Sequence, residues 1–293
     1  MQKENQHYNI QPADRLASVS EYYFSRKLKE VAKMNAEGKD VISLGIGSPD
    51  MPPSEETINV LCENARKADA HGYQPTVGIP ELRKAMADWY KRWYNVDLDP
   101  ATEIQPLIGS KEGILHVTLA LVNPGDQVLV PNPGYPIFEI GPFLCDAQIA
   151  YYNLLPENDY LIDFDSIDED TAKKAKMMVV SYPLNPVCAT APDEFYDKLI
   201  AFAKKYNIII IHDNAYSEII YDGQIGGSFL SHEGAMEVGV EFNSLSKTYN
   251  LTGLRLSFLI GNREIVSKFK TVRSQFDYGT SFIYQKAAVA ALN

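Results

Sequence analysis

The sequence has few of the residues that several common classes of protein require. It contains three cysteines in 293 residues, and they are widely spaced, so neither a disulfide framework nor a zinc site is indicated. Positive charge is scarce, with 27 Lys and Arg against 38 Asp and Glu. The resulting net charge of -11 argues against binding to a nucleic acid as the main function. The histidines show no metal-ligand spacing, so no metal is expected.

Long apolar runs are missing as well. The longest aliphatic run, residues 208–211, is far shorter than the roughly 20 residues that span a membrane as a helix. Residues 1–7 are polar and precede no apolar stretch, so no signal peptide is predicted. We therefore expect a cytoplasmic protein that does not bind membranes.

What the sequence does contain is a regular alternation of apolar strands and helices. Strands are predicted at 127–130, 148–154, 177–180, 207–211, 238–242 and 256–260. Helices are predicted before residue 40 and at 55–70, 80–94, 114–122, 137–144, 166–174, 193–206 and 281–292. Near-continuous aliphatic strands that alternate with helices predict an α/β fold, in which a mostly parallel central sheet is covered by helices on both faces.

Residues 244–255, S-L-S-K-T-Y-N-L-T-G-L-R, are the most informative about function. Lys247 is predicted to lie in a turn between two buried strands, where burial lowers the pKa of a lysine and favours the neutral, nucleophilic amine. Ser244, Ser246 and Arg255 supply hydroxyl groups and a planar cation, which are suited to binding a phosphate. An aldehyde that carries a phosphate would use all of these groups, which indicates pyridoxal phosphate. For such a motif taken alone, a solvated surface turn is the alternative.

Other polar residues follow the predicted strands, and in sheets of this kind ligands bind outside the carboxyl ends of the strands. Asp213 comes directly after an aliphatic strand and requires a cationic or N–H partner, such as a protonated pyridine nitrogen. Tyr216 follows three residues later, and the adjacent His212 is expected in the core rather than as a ligand. Ser110 and Lys111 open a helix whose N-terminus favours a phosphate, with an ordinary N-cap as the alternative.

Three further turns present candidate groups. Tyr135, in N-P-G-Y-P, would stack on a planar ring, although a surface tyrosine is the more common case. Asn185, in N-P, offers an amide at a strand end or simply begins a turn. Ile46 and Gly47 belong to G-I-G, which lacks the third glycine of a dinucleotide fingerprint. That segment is either a tight turn or a backbone that lines a substrate.

In chain order, the motifs G-S-K, P-G-Y-P, Y-P-x-N-P, H-D-x-A-Y, S-x-S-K and T-G-x-R resemble those of the class I/II, fold-type I aminotransferases, which use pyridoxal phosphate. The segments that look like the LL-diaminopimelate aminotransferase group are 12–16, 44–50, 107–113 and 244–250. The resemblance implies an enzyme that moves an amino group between an amino acid and a 2-oxo acid in ping-pong order. It also implies a large cofactor-binding domain at 46–293, with an N-terminal arm and part of a small domain at 1–45.

The resemblance assigns roles around the cofactor ring. Lys247 would bind the cofactor covalently and then move the proton at the substrate Cα. Asp213 would keep the pyridine nitrogen protonated, so that the ring accepts electrons. Asn185 and Tyr216 would hydrogen-bond the phenolic oxygen, and Tyr135 would stack on the ring.

The resemblance also assigns the phosphate and substrate contacts. The residues that would lie around the phosphate are Ser110, Lys111, Ser244, Ser246 and Arg255. Tyr73 would reach the phosphate of the neighbouring subunit, which implies a homodimer with sites at the interface. Ile46, Gly47 and Asn185 would line the substrate.

Two features depart from the family pattern. Where the family has N-P-T-G, this chain has N-P-V-C at 185–188, and cysteine disfavours the backbone angles that glycine permits. The chain also stops before the C-terminal segment whose arginine pairs with the substrate carboxylate in the family. We therefore expect a fragment in which the apolar residues 281–292 are incompletely covered. The alternatives are a pyridoxal-phosphate β-lyase or decarboxylase of the same fold, and a truncated chain that binds the cofactor without catalysis.

Overall fold

The structure, a computed structural model, describes residues 10–224 and 226–293. The polar residues 1–7 lie outside this range. The chain divides into two compact units, Met1–Ser48 and Pro49–Asn293, and each has its own internal organisation.

In the described residues, the secondary structure consists of helices of several lengths and seven strands. The α-helices are α1 (Tyr23–Ala36), α2 (Glu55–Ala65), α3 (Pro80–Tyr94), α4 (Ser110–Leu121), α5 (Ile137–Leu144), α6 (Glu169–Lys174), α7 (Asp193–Tyr206), α8 (Ala235–Val238), α9 (Leu245–Thr248), α10 (Arg263–Arg273) and α11 (Phe282–Leu292). Short 3-10 helices lie at Asp14–Ser18, Pro156–Asn158, Phe164–Ser166, Phe229–Ser231 and Thr252–Leu254. The strands are β1 (Ile104–Leu107), β2 (Gln127–Asn132), β3 (Gln148–Asn153), β4 (Ala175–Ser181), β5 (Ile209–Asp213), β6 (Gly239–Ser244) and β7 (Ser257–Gly261).

The first unit is built around α1, the helix predicted before residue 40. None of the residues of α1 is buried. The chain that follows is tied back to the helix by Asn35, whose amide accepts from Val41 N–H at 2.5 Å and donates to Val41 C=O at 3.2 Å. The apolar run 41–44 forms no strand, and its side chains Ile42 and Leu44 are 84% and 92% exposed.

The second unit is organised by one seven-stranded sheet, in the order β1-β7-β6-β5-β4-β2-β3 within the described chain. Strand β7 runs antiparallel to both of its neighbours, and the remaining pairs are parallel. Strands β4 and β6 are buried at nearly every position, as a sheet covered on both faces requires. The predicted α/β fold with a mostly parallel central sheet is therefore confirmed.

Capping decides the residue at which helices α4 and α6 begin. Helix α4 begins at Ser110, at the opening that the sequence indicates, directly after Gly109 with its positive φ of 93°. Helix α6 begins at Glu169 rather than at residue 166, because the Asp168 side chain accepts from Thr171 N–H at 3.0 Å. The elements that the sequence pattern did not indicate include β1, α10 and the short helices α8 and α9.

Helix α11, predicted as an apolar helix at 281–292, is covered on one face by α2 and α3. Its buried Gln285 accepts from Ile79 N–H at 2.7 Å and donates to Thr280 C=O at 2.6 Å, so a polar side chain fixes the helix to the chain before α3. The apolar residues Ala287, Ala288 and Leu292 of this helix are buried, whereas Tyr284 is 38% exposed. No helix among the described residues combines the length and the apolar character needed to cross a bilayer.

A buried carboxylate joins the centre of the sheet to its surroundings. Glu241 in β6 is fully buried and lies directly across from His212 in β5, with His212 Nδ1 2.9 Å from Glu241 Oε2. The same carboxylate accepts from Tyr90 of α3 at 2.7 Å, from Ser228 Oγ at 2.8 Å and from Phe229 N–H at 2.9 Å. These contacts satisfy a charge that would otherwise be costly to bury, and they confirm His212 as a core residue.

We expect Glu241→Ala to lower the free energy of unfolding by about 3–5 kcal/mol, because it leaves several buried donors without their acceptor. Urea denaturation at neutral pH measures this change. The matched control is Glu237→Ala in α8, an exposed glutamate 2.9 Å from Lys204, for which we expect a loss of about 0–1 kcal/mol. Similar losses for the two variants would contradict the stabilising role of the buried carboxylate.

Candidate functional site

The candidate residues of the second unit lie in segments that leave or enter one edge of the sheet, the edge at which the parallel strands end. Ser181, Asp213 and Phe242 are register neighbours at the ends of β4, β5 and β6. On the other side, Ser244 at the end of β6 pairs with Ser257, which pairs in turn with Leu107 at the end of β1. Neighbouring strands are about 4.8 Å apart, so the segments that follow β1, β5 and β6 meet around this edge.

Lys247 lies in the single turn α9, immediately after β6. Ser244 caps this turn, with its hydroxyl accepting from Ser246 N–H at 3.2 Å. The lysine is partly buried, and its Nζ lies 5.8 Å from the centre of the Tyr216 ring. Burial, together with the nearby charge of Arg255, lowers the pKa of the Lys247 ammonium. The position therefore favours an amine that can lose its proton and act as a nucleophile.

Asp213 is the last residue of β5 and is buried. Ala215 N–H donates to its Oδ1 at 3.3 Å. Burial raises the pKa of this carboxyl from its ordinary 3.8 to about 6, although the neighbouring His212 acts to lower it. A cation placed against Asp213 would stabilise the ionised carboxylate and lower its pKa again. A protonated ring nitrogen is such a cation.

The other end of the site has the character of an anion-binding pocket. Ser110 is the first residue of α4, and its hydroxyl oxygen is buried with no hydrogen-bond partner among the described residues. The Arg255 guanidinium lies against Gly109, so closely that a Cβ on that glycine would collide with Nη2. Arg255 Nη1 also donates to Thr252 C=O at 2.9 Å. A helix N-terminus, an unsatisfied hydroxyl and a guanidinium together fit a phosphate group.

Comparisons with known proteins establish the family to which the chain belongs. The profile of the family "Aminotransferase class I and II" matches residues 39–293. The LL-diaminopimelate aminotransferase of Halothermothrix orenii is 44% identical over 283 residues, which are 97% of this chain and 73% of that protein. The enzyme of the same name from Aquifex aeolicus is 46% identical over 281 residues, covering 96% of this chain and 73% of its own length.

Solved structures give the same result at the level of the fold. The substrate-bound structure of BacF from Bacillus subtilis matches with a TM-score of 0.92 and 40% identity, covering 97% of this chain and 72% of that one. A probable N-succinyldiaminopimelate aminotransferase from Thermus thermophilus matches with a TM-score of 0.86 and 33% identity, covering 92% and 72%. The chain belongs to the aminotransferase class I and II family. Its fold is that of the fold-type I aminotransferases, and its function is that of an aminotransferase.

The remaining ring-side candidates of the aminotransferase lie in loops after β2 and β4. Tyr135 follows β2, is partly buried against the core and meets Phe138 edge to face with 5.9 Å between ring centres. Asn185 follows β4 and is partly buried. Both loops leave the same edge of the sheet as Asp213, because β2, β4 and β5 are parallel. The structure thus places these segments around one edge, and the roles of the two side chains stay predictions.

The remaining candidates are Tyr73, Lys111 and the pair Ile46 and Gly47. Tyr73 is 85% exposed and stacks on Tyr278, with 4.4 Å between ring centres. Ile46 and Gly47 belong to the first unit, where both are exposed at a bend. Lys111, the second residue of α4, is exposed beside Ser110. The proposed contacts of these residues with cofactor, substrate or partner stay predictions.

Sequence reasoning missed two polar residues at this edge. Ser257 is fully buried beside Ser244, and its hydroxyl oxygen has no hydrogen-bond partner among the described residues. Ser257 lies within the apolar run of β7, where no sequence signal marks it as a site residue. Glu112, the third residue of α4, accepts from Ile108 N–H at 2.9 Å. A glutamate at this helix position is a known capping signal, and it is the sign that would have identified Glu112.

The unusual N-P-V-C loop keeps the backbone geometry that suits a glycine. Cys188 has a positive φ of 59°, and its N–H donates to Leu184 C=O at 2.6 Å while Leu184 N–H donates to Ala189 C=O at 3.1 Å. The expected loss of glycine's conformational freedom therefore does not abolish the turn. The cysteine instead adopts a left-handed conformation, which costs an L-residue about 1 kcal/mol or more.

We expect Cys188→Gly to raise the free energy of unfolding by about 0.5–1 kcal/mol, because glycine adopts the left-handed conformation without steric cost. The control is Cys188→Ala, which removes the exposed thiol but keeps the Cβ and should leave stability nearly unchanged. Urea denaturation under reducing conditions measures both. An equal gain for alanine and glycine would show that the thiol, rather than the backbone conformation, limits stability.

The pKa of Asp213 gives a second prediction, for the cofactor-free protein. The folded-state pKa of about 6 lies above the unfolded value near 3.8, so folding favours the protonated acid. The resulting stabilisation is fully present below pH 4 and is lost as the pH rises through 6, amounting to about 2–3 kcal/mol. Asp213→Asn should therefore gain stability over the wild type as the pH rises from 4 to 8.

The measurement is urea denaturation of wild type and Asp213→Asn at pH 4, 6 and 8, without added cofactor. The control Asp170→Asn replaces an exposed carboxylate in α6 and should follow the wild type at each pH. If the difference in unfolding free energy between Asp213→Asn and wild type does not grow with pH, the raised pKa of Asp213 is disproved.

Proposed function

We propose that this aminotransferase uses pyridoxal phosphate bound through Lys247. The observation that carries the proposal is the arrangement at the sheet edge. A lysine with a lowered pKa follows β6, with the buried carboxylate of Asp213 on the neighbouring strand. On its other side are the unsatisfied Ser110 hydroxyl and the Arg255 guanidinium. The amine matches the aldehyde of that cofactor, the carboxylate matches its ring nitrogen and the phosphate pocket matches its phosphate.

The proposed roles at the ring follow from the chemistry of each side chain. Bound pyridoxal phosphate supplies a ring that accepts electrons from the substrate Cα. Asp213, held as a carboxylate by a cationic partner, would keep the ring nitrogen protonated. Lys247 would hold the cofactor through its aldehyde carbon, with release of water. Once the substrate amino group has taken its place, the freed Lys247 Nζ would carry the proton away from the substrate Cα. Tyr216, Asn185 and Tyr135 would orient the ring through its phenolic oxygen and its face.

The proposed phosphate contacts come from both strands that adjoin β7. The residues are Ser110 and Lys111 after β1, together with Ser244 before α9, Ser246 within α9 and Arg255 after it. Their hydroxyl, backbone N–H and guanidinium groups are donors, as a phosphate dianion requires. We further propose a cytoplasmic homodimer in which the exposed Tyr73 reaches the phosphate of the partner subunit. The large cofactor-binding domain would comprise residues 46–293, with an arm and part of a small domain at 1–45.

For the substrate, we propose an amino acid of the diaminopimelate type as donor and a 2-oxo acid as acceptor, in ping-pong order. The support is the identity of 44–46% to enzymes named LL-diaminopimelate aminotransferase. Ile46, Gly47 and Asn185 would line this substrate.

The cofactor assignment predicts a visible absorbance band when pyridoxal phosphate is added to the purified chain. Borohydride should fix the cofactor to the peptide that contains Lys247, and Lys247→Ala should lose the band. Lys268→Ala, which removes an exposed lysine of α10, is the control and should keep it. Labelling of the peptide that contains Lys111, or no band in a folded protein, would refute the assignment.

The substrate assignment is tested with the same material. LL-diaminopimelate and a panel of other amino acids are each added with a 2-oxo acid, and the keto and amino products are identified by mass spectrometry. A ping-pong aminotransferase should release an oxo acid from the donor before the acceptor is added. Ammonia and pyruvate released without any acceptor would instead identify a β-lyase.

A further inference from the structure

The segment 106–110 comprises the last two residues of β1, the connection at 108–109 and the first residue of α4. It carries the proposed phosphate contact at Ser110. Four ionisable side chains behind it form a group that we name the anchor cluster: Glu112, His116, Arg273 and Asp277. They come from α4, from the end of α10 and from the chain that follows α10. None of them is a proposed cofactor ligand, so their clustering behind this segment calls for an explanation.

Glu112 holds the middle of the segment. Its Oε1 accepts from Ile108 N–H at 2.9 Å, and its Oε2 lies 2.6 Å from His116 Nδ1, one helical turn further along α4. The ring of His116 stacks on Phe276 with 4.7 Å between ring centres, so the histidine is itself held in place. Glu112 therefore has one oxygen hydrogen-bonded to the backbone of the segment, and its other oxygen lies within ion-pair distance of a ring that packing holds in place.

Arg273 holds the beginning of the segment. Its side chain is 1% exposed, its Nη1 donates to Pro106 C=O and its Nε donates to Asp277 Oδ1 at 3.0 Å. A guanidinium buried to this degree requires such acceptors. The backbone is thus fixed by a cation at Pro106 and by a carboxylate at Ile108, on both sides of Leu107.

The charge state of Glu112 supports the same interpretation. Burial acts to raise the pKa of Glu112, but the contact with His116 and the charge of Arg273 outweigh it, and the pKa lies below its ordinary value. The carboxylate is therefore ionised at neutral pH and is a strong acceptor for the Ile108 N–H.

The consequence falls on the next two residues. Gly109 has a φ of 93°, and this conformation directs the chain into α4 with Arg255 packed against it. Ser110 follows with its unsatisfied, buried hydroxyl. Backbone N–H groups at a helix start bind a phosphate well only when they are held in place before the ligand arrives. A free Ile108 would loosen the residues that supply these donors.

A glutamate this close to a phosphate pocket also carries a cost, because like charges repel. The positive end of the helix dipole lowers this cost, because position 112 lies in the first turn of α4. The hydrogen bond to Ile108 is the contribution that offsets this repulsion.

We propose that Glu112 is a positioning residue for phosphate recognition: by accepting the Ile108 N–H, it fixes Gly109 and Ser110 in the geometry that receives the phosphate group. The inference rests on the proposed function, since it concerns the same cofactor site. The inference goes beyond the proposed function because it assigns a role to a residue that does not touch the cofactor.

The test compares the dissociation constants of pyridoxal phosphate and of pyridoxal, which lacks the phosphate, measured from absorbance titrations. The variants are Glu112→Ala, which removes the acceptor, and Glu112→Gln, which keeps an amide oxygen for the Ile108 N–H but removes the charge. Glu169→Ala and Glu169→Gln are the matched controls. Glu169 is also in the first turn of its helix, is exposed, and lies 3.1 Å from Lys173 at the i+4 position.

We expect Glu112→Ala to weaken the binding of pyridoxal phosphate by about tenfold and to change that of pyridoxal by no more than about twofold. Glu112→Gln should stay within about threefold of wild type for both ligands, and the Glu169 variants should match wild type. Thermal unfolding of the cofactor-free proteins establishes that each variant is folded. If Glu112→Ala does not fold, His116→Leu, which leaves Glu112 without its fixed partner, should show the same selective loss to a smaller degree.

Several results would overturn the inference while leaving the proposed function intact. Equal weakening of both ligands in Glu112→Ala would show a general structural role, and unchanged binding of both would show no role. A loss in Glu112→Gln as large as that in Glu112→Ala would assign the effect to charge rather than to the hydrogen bond. Failure of the wild type to bind pyridoxal phosphate would instead refute the proposed function, and the inference with it.

Discussion

The contact between Glu241 and His212, 2.9 Å long and fully buried, is the interaction on which the rest of the structure depends. It joins β5 to β6 at the register pair directly before Asp213 and Phe242. A slip of one residue would turn every side chain of a strand to the opposite face of the sheet. The contact therefore fixes both which face Asp213 occupies and where the chain leaves β6 towards Lys247. The chemistry at the edge of the sheet depends on this pairing inside it.

The site is built from polar groups whose burial without a full set of partners costs free energy. Burial raises the pKa of the Asp213 carboxyl and lowers that of the Lys247 ammonium, so each is displaced towards its uncharged form. The Ser110 hydroxyl lacks a partner within the described chain. Such costs are characteristic of functional sites, where a ligand supplies the missing partners. A rigid sheet can support them because the buried carboxylate at its centre, Glu241, accepts hydrogen bonds from Tyr90, Ser228 and Phe229.

The same principle extends to the backbone around the aminotransferase site. Segment 106–110 is held by Arg273 and Glu112, and the turn after Asn185 is closed by hydrogen bonds that place Cys188 in a left-handed conformation. In both places a residue outside the site determines the geometry of a residue within it.

The sequence alone determined the fold class, the family and the candidate residues, because these depend on local pattern. Apolar runs identify buried strands, and Lys247 and Asp213 stand in motifs directly after two of them. Strand β1 and helix α10 escaped detection, since β1 carries a proline and a glutamine in four residues and α10 is strongly charged. Only the tertiary structure decided the strand order, the antiparallel β7 and the neighbours of each residue. Arg273 and Glu112 are 161 positions apart in sequence, and long-range packing brings them to one loop, which no local pattern encodes.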